Sequence, residues 1–113
     1  MNKVYSMISL AYKAGKLLTG EDAVRNSIRS GRVRLIIISE DASDNTKKHI
    51  GNSAAFYNVP CIIWGMKNEF GSCIGKSARS VLGITDENFG SGISDKLIDE
   101  VRKKEKPGGG FIE

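Results

Sequence analysis

The chain has 113 residues, of which 40% are apolar and 27% charged, a globular composition at the length of one domain. That size excludes a multidomain enzyme, yet it is enough to bury a core without disulfide or metal staples. Seventeen basic and 13 acidic side chains leave a net charge of +4, too small by itself to name a partner.

The distribution of charge says more. Residues 1–34 carry +5, residues 35–60 carry −1, residues 61–85 carry +2 and residues 86–113 carry −2. Two separated basic segments that fold together would form a patch for a polyanion. Cys61 and Cys73 are too few for a disulfide framework. Residues 1–16 lack the apolar core and cleavage pattern of a signal peptide. The longest apolar run is Leu35-Ile36-Ile37-Ile38, far from the ~18 residues of a membrane span. A reduced, cytoplasmic, membrane-free setting is expected.

In chain order, Val4, Met7, Ile8 and Ala11 share one helix face, and Gly15 ends that helix. A short extended piece follows at Lys16-Leu17-Leu18. Thr19 is the expected cap of a second helix, whose first turn carries Glu21 and Asp22 and whose buried side is Ala23, Val24, Ser27 and Ile28. Gly31 stops it. Leu35–Ile38 has the continuous β-branched pattern of a strand covered on both faces. Ser43 caps a third helix with Ile50, Ala54 and Tyr57 inward, and Pro60 breaks it. Residues 61–64 read as a second buried strand, 67–74 as a short helix and 80–84 as a further strand. Thr85-Asp86-Glu87 opens a last helix with Phe89, Ile93, Leu97 and Val101 at four-residue steps, although Gly90 and Gly92 each cost it about 1 kcal/mol against alanine. Strands alternating with helices predict an α/β/α layering around a mainly parallel sheet. Residues 1–104 form the domain, and residues 105–113, rich in glycine, are the expected flexible tail.

Catalytic chemistry finds little support. His49 is the only histidine and sits beside Lys47 and Lys48 on the expected wet face. One histidine and two cysteines twelve apart make no zinc set. Glu40 and Asp41 follow a strand end, but adjacent side chains diverge, and Asp41 suits ordering the turn before Ser43. Residues 15–20 lack the spacing and the Gly-Lys-Ser/Thr ending of a phosphate loop. No metal and no cofactor are expected. The basic signal is stronger. Arg25, Arg29 and Arg32 recur at four and three, with Arg34 just beyond, and Lys76 and Arg79 lie in the loop before the last strand. Glu21 and Asp22 repel phosphate but accept from base amino and imino groups, which points to irregular RNA with reachable bases. Tyr5, Tyr12, Phe56, Tyr57 and Trp64 all have core or helix-face places, so no stacking platform is expected.

Gly20-Glu21-Asp22, the run from Ser30 to Ser43, Asn45-Thr46-Lys47-Lys48, Tyr57-Asn58-Val59-Pro60, Phe70-Gly71, Ile74-Gly75-Lys76 and Ala78-Arg79 together carry a resemblance. Over about residues 3–100 the chain resembles the kink-turn RNA-binding ribosomal protein superfamily, that of ribosomal proteins L-seven-Ae and L-thirty-e, and it looks nearest to the small bacterial YlxQ-type group. The resemblance implies a three-layer α/β/α sandwich with a four-stranded mixed sheet. It implies an RNA surface made of Gly20, Glu21, Asp22, Arg25 and Asn26 with Gly75, Lys76, Ser77, Ala78 and Arg79, flanked by Lys16 and Ser43. Kink-turn binders of the family read Gly-x-Asn-Glu-x-Thr-Lys at the helix start, whereas this chain has Asp22, Ala23 and Asn26 at the Asn, Glu and Lys positions.

The expected function is non-enzymatic binding of structured RNA, a kink-turn or similar internal loop, with phosphate contacts from Arg25, Arg29, Lys76 and Arg79. Ribosomal RNA is the first expected partner, with ribosomal or transcription and translation proteins beside it, and the expected state is a monomer. The alternative is a protein-interaction or regulatory module of the same fold.

Overall fold

A computed structural model of the chain describes residues 2–105; Met1 and residues 106–113 lie outside the described residues, and with them the expected tail except Glu105, which ends the last helix instead. The elements are α1 (Lys3–Lys13), β1 (Leu17–Thr19), α2 (Glu21–Arg29), β2 (Leu35–Ile38), α3 (Asp44–Phe56), β3 (Cys61–Ile63), α4 (Lys67–Cys73), β4 (Val81–Ile84) and α5 (Glu87–Glu105).

The four strands form one sheet in the order β1-β4-β2-β3. Only β2–β3 is parallel; β1–β4 and β2–β4 are antiparallel. The sheet is therefore mixed, and the mainly parallel expectation fails. Alternation along the chain could not reveal that the last strand inserts between the first two.

Alternation along β2 divides the core. Leu35 and Ile37 face α1, α4 and α5, packing with Ile8, Phe70, Ile93 and Leu97. Ile36 and Ile38 face α2 and α3, packing with Val24, Ile28, Ile50 and Ala54. All four β2 side chains are buried, each worth about 1.5–3 kcal/mol of transfer free energy. The three layers follow from this two-sided burial. β3 is an edge strand with Ile63 half exposed, and Trp64 lies beyond its end, so the expected second buried strand is shorter and wetter than its apolar run suggested.

Three helix starts are capped by side chains. Asn2 accepts from the Val4 N–H at 2.7 Å, Ser43 from Thr46 at 3.1 Å and Asp86 from Phe89 at 2.9 Å. α5 runs through Gly90 and Gly92, because Ile93 and Leu97 anchor its inner face. Tyr57 is not on the inner face of α3 as expected; it lies 43% exposed, just past the helix end.

Strand directions give the molecule two distinct ends. At the upper end, α2 and β4 begin while β1 and β2 finish, since Thr19 pairs with Leu82 and Ile38 with Val81. At the lower end, Arg34 donates to the Ile84 carbonyl at 2.7 Å and Thr85 to the Lys16 carbonyl at 3.0 Å.

Candidate nucleic-acid interface

The upper end is assembled by backbone contacts between distant segments. The cap of α2 is Gly20, not the expected Thr19, and it provides no side-chain hydrogen bond. Its φ of 98° and ψ of 151° lie where only glycine is comfortable. This conformation lets the Gly20 N–H donate to the Val81 carbonyl at 2.9 Å while the helix turns away from the sheet. The first-turn N–H groups of α2 are left without a side-chain cap, a standing supply of donors.

The loop between α4 and β4 lies beside this helix start. Arg79 Nε donates to Thr19 Oγ1 at 3.4 Å, the long side of hydrogen-bond range. Its Nη1 donates to the Ser77 carbonyl, Ser77 Oγ and the Ala78 carbonyl at 2.9–3.1 Å. Arg79 is thus an organiser of the loop, with much of its guanidinium spent on its own chain. Gly71 supports the loop from beneath. A Cβ there would lie 2.0 Å from the Ser77 carbonyl oxygen, and the Gly71 carbonyl accepts from Lys76 at 2.8 Å. Gly75, Lys76, Ser77 and Ala78 are exposed on the surface so formed.

The acids at this end have separate tasks. Glu21 accepts from Thr46 Oγ1 at 2.9 Å and from Arg25 at 3.0 Å, so both its oxygens are engaged and α2 is tied to the start of α3 beside Ser43. Asp22 has a side chain 94% exposed, with only a 3.6 Å approach from Arg25. Asp22 and Asn26 are therefore the open polar side chains of the helix start. Arg25, held between two carboxylates, contributes little net charge.

Two predicted site residues are elsewhere. Lys16 precedes β1 and sits at the lower end beside Thr85. Arg29 closes α2, roughly 10 Å along the axis from Asp22 at 1.5 Å per residue. Arg32 lies past the helix end, so the arginines form no single stripe, and the two basic segments do not merge into one patch. Ala23, expected inside, is exposed.

The acids after β2 are structural. Asp41 accepts from the Lys67 N–H at 3.0 Å, which holds its carboxyl below the usual range, and so ties the turn before Ser43 to the start of α4. Glu40 accepts from the Gly65 N–H at 3.2 Å. His49 is exposed, and among the described residues no group of three or more His, Cys, Asp or Glu could hold a metal ion. No described helix is long and apolar enough to cross a membrane.

Residues 2–92 match the model of the "Ribosomal protein L7Ae/L30e/S12e/Gadd45 family". The chain belongs to this family. Within reach of that assignment are two curated relatives named RNA-binding protein YlxQ. The one from Enterococcus faecium is 39% identical over 77% of this chain and 84% of its own length. The one from Bacillus subtilis is 37% identical over 83% and 90%. A solved Bacillus halodurans structure, described as a protein with unknown function, superposes with a TM-score of 0.84 at 34% identity, covering 87% of this chain and 99% of that one. The L7Ae-type fold thus agrees with the mixed four-stranded sheet between two helical layers.

Proposed function

We propose that the protein binds structured RNA, without catalysing a reaction on it, through the start of α2 and the α4–β4 loop. The observation that carries this reading is the Gly20 hinge. It holds an uncapped helix start against a glycine-supported loop that displays Lys76, Ser77 and Ala78. The names of the two YlxQ relatives support an RNA partner. Asp22 accepts from base edges, first-turn N–H groups donate, and Lys76 meets phosphate. Such a mixed surface suits a kink-turn or a similar irregular internal loop, where bases are splayed out. Ribosomal RNA in the cytoplasm is the first candidate, met by a monomer.

The test is titration of a fluorescent hairpin carrying a kink-turn internal loop against the same hairpin fully paired, at two salt concentrations. The looped hairpin binds more tightly. Asp22→Ala erases that preference, and Lys76→Gln lowers the salt slope by about 0.7–0.9. Equal affinity for both hairpins, or indifference to both substitutions, refutes the reading.

One observation favours a second reading. Ile63 and Ile98 are 50% and 43% exposed around an apolar hollow between β3 and α5, which suits a protein partner. Partners that survive RNase treatment in a pull-down would favour it.

A further inference from the structure

The arginines displaced from the upper end gather at the lower one. Arg29 closes α2, Arg32 and Arg34 follow it, and Lys16 flanks the far side of β4 through its carbonyl's bond to Thr85. Arg29, Arg32, Arg34 and Lys16 are all exposed. The ion pairs found among the described residues are those of Arg25, so none of these four cations pairs with a described carboxylate. Glu87 and Asp95 line an adjoining hollow with Arg34 but form no ion pair with it.

Aromatic side chains border the same surface. The turn after α3 is held to the start of β2 by Ile36 donating to the Pro60 carbonyl at 2.9 Å. That places Tyr57 with Arg29, Arg34, Val33 and Pro60 around a hollow of about 270 Å³. Phe56, 78% exposed, meets Tyr57 edge to face with ring centroids 4.9 Å apart. An edge-to-face contact covers one face of one ring only, and both residues stay exposed. Tyr57 is thus off the inner face of α3 where it was expected, while Phe56 ends α3 on an exposed helix face. Arg29 also complements the negative end of the α2 dipole, a sufficient reason for one arginine there. Arg32 and Arg34 lie beyond the helix and have no such duty.

We infer that the lower end is a second RNA-binding surface, which takes an unpaired strand by stacking a base on Phe56 or Tyr57 and holding its phosphates with Arg32 and Arg34. Cations that track a backbone beside open aromatic faces are the two components of single-strand binding. The inference rests on the RNA-binding reading above and adds a separate face to it. The two surfaces lie at opposite ends of α2 and β4, so one RNA can engage both by passing an unpaired extension along the α2 side of the molecule.

The experiment titrates the whole protein with a fluorescein-labelled 12-nucleotide oligouridine, which has no internal loop to offer the upper end. Arg32→Gln with Arg34→Gln weakens binding on the order of tenfold and flattens the salt slope by about 1.4. Phe56→Ala with Tyr57→Ala weakens it on the order of tenfold with little change in slope. Arg102→Gln with Lys103→Gln on α5 removes the same charge and leaves affinity within about twofold. Oligouridine that does not bind, that binds equally to all variants, or that loses as much with the α5 pair overturns the inference. The hairpin titrations with Asp22→Ala and Lys76→Gln are read independently, so failure of the upper surface is distinguishable from failure of the lower one.

Discussion

Gly71→Ala probes the loop without altering any charge. The new Cβ would sit 2.0 Å from the Ser77 carbonyl oxygen and 2.9 Å from that of Lys76. Reaching a separation of 3.4 Å from Ser77 requires about 1.4 Å of movement. α4 cannot readily retreat, because its Phe70 is fully buried and packs against Tyr5 and Trp64. The α4–β4 loop must give instead. Overpacking of this kind costs roughly 1–3 kcal/mol, or about 4–20 °C in Tm for a domain of this size. Losing one charge-assisted hydrogen bond from the displaced loop, at about 1.5–3 kcal/mol, weakens RNA binding roughly 10–100-fold. Urea unfolding and hairpin titration measure the two effects. Gly51→Ala on α3 is the matched control, since nothing lies within 4 Å of its would-be Cβ. That change stabilises by up to about 1 kcal/mol through helix propensity. A Gly71→Ala protein with wild-type stability and affinity would refute the packing reasoning.

Three further outcomes follow. Gly20→Ala meets no atom within 4 Å, so its cost of about 1–3 kcal/mol in urea unfolding comes from backbone strain at φ 98°. Asp41→Asn should reduce stability at neutral pH and shrink the acid-side loss. The folded carboxyl titrates below its unfolded value, so its contribution is present above the unfolded pKa near 4 and fades as pH falls through the lower folded value. Denaturation midpoints across the acid range check this, and parallel wild-type and variant profiles would contradict it. Burial raises the thiol pKa values of Cys61 and Cys73, so a chromogenic disulfide reagent at neutral pH should react more slowly with folded than with unfolded protein.

Local structure was well written in the residues. The Leu35–Ile38 strand, the Ser43 cap and the inner face of α5 all depend on neighbours within a few positions, and they appear where patterning predicts. What depends on topology was hidden. Nothing near Val81 announces that β4 inserts between β1 and β2. Lys16 and Arg34 lie at the opposite end from Gly20 because β1 and α2 each run the height of the molecule between them. The contiguous basic stretch at 25–34 therefore divides, with Arg25 neutralised at one end and Arg29, Arg32 and Arg34 displayed at the other. The bond from Thr46 to Glu21 joins residues 25 apart and has no local signature. The exposure of Phe56 and Tyr57 was equally invisible, because an aromatic pair at a helix end reads the same whether it faces the core or water. Gly71 is the clearest missed signal: a glycine inside a short helix pattern invites a search for a close backbone approach.

The most direct test of RNA docking at the upper end is amide chemical-shift mapping during titration with the internal-loop hairpin. The first and largest shifts should fall on residues 20–26 and 75–79. Shifts confined to α4 and α5, or none at all, would contradict it.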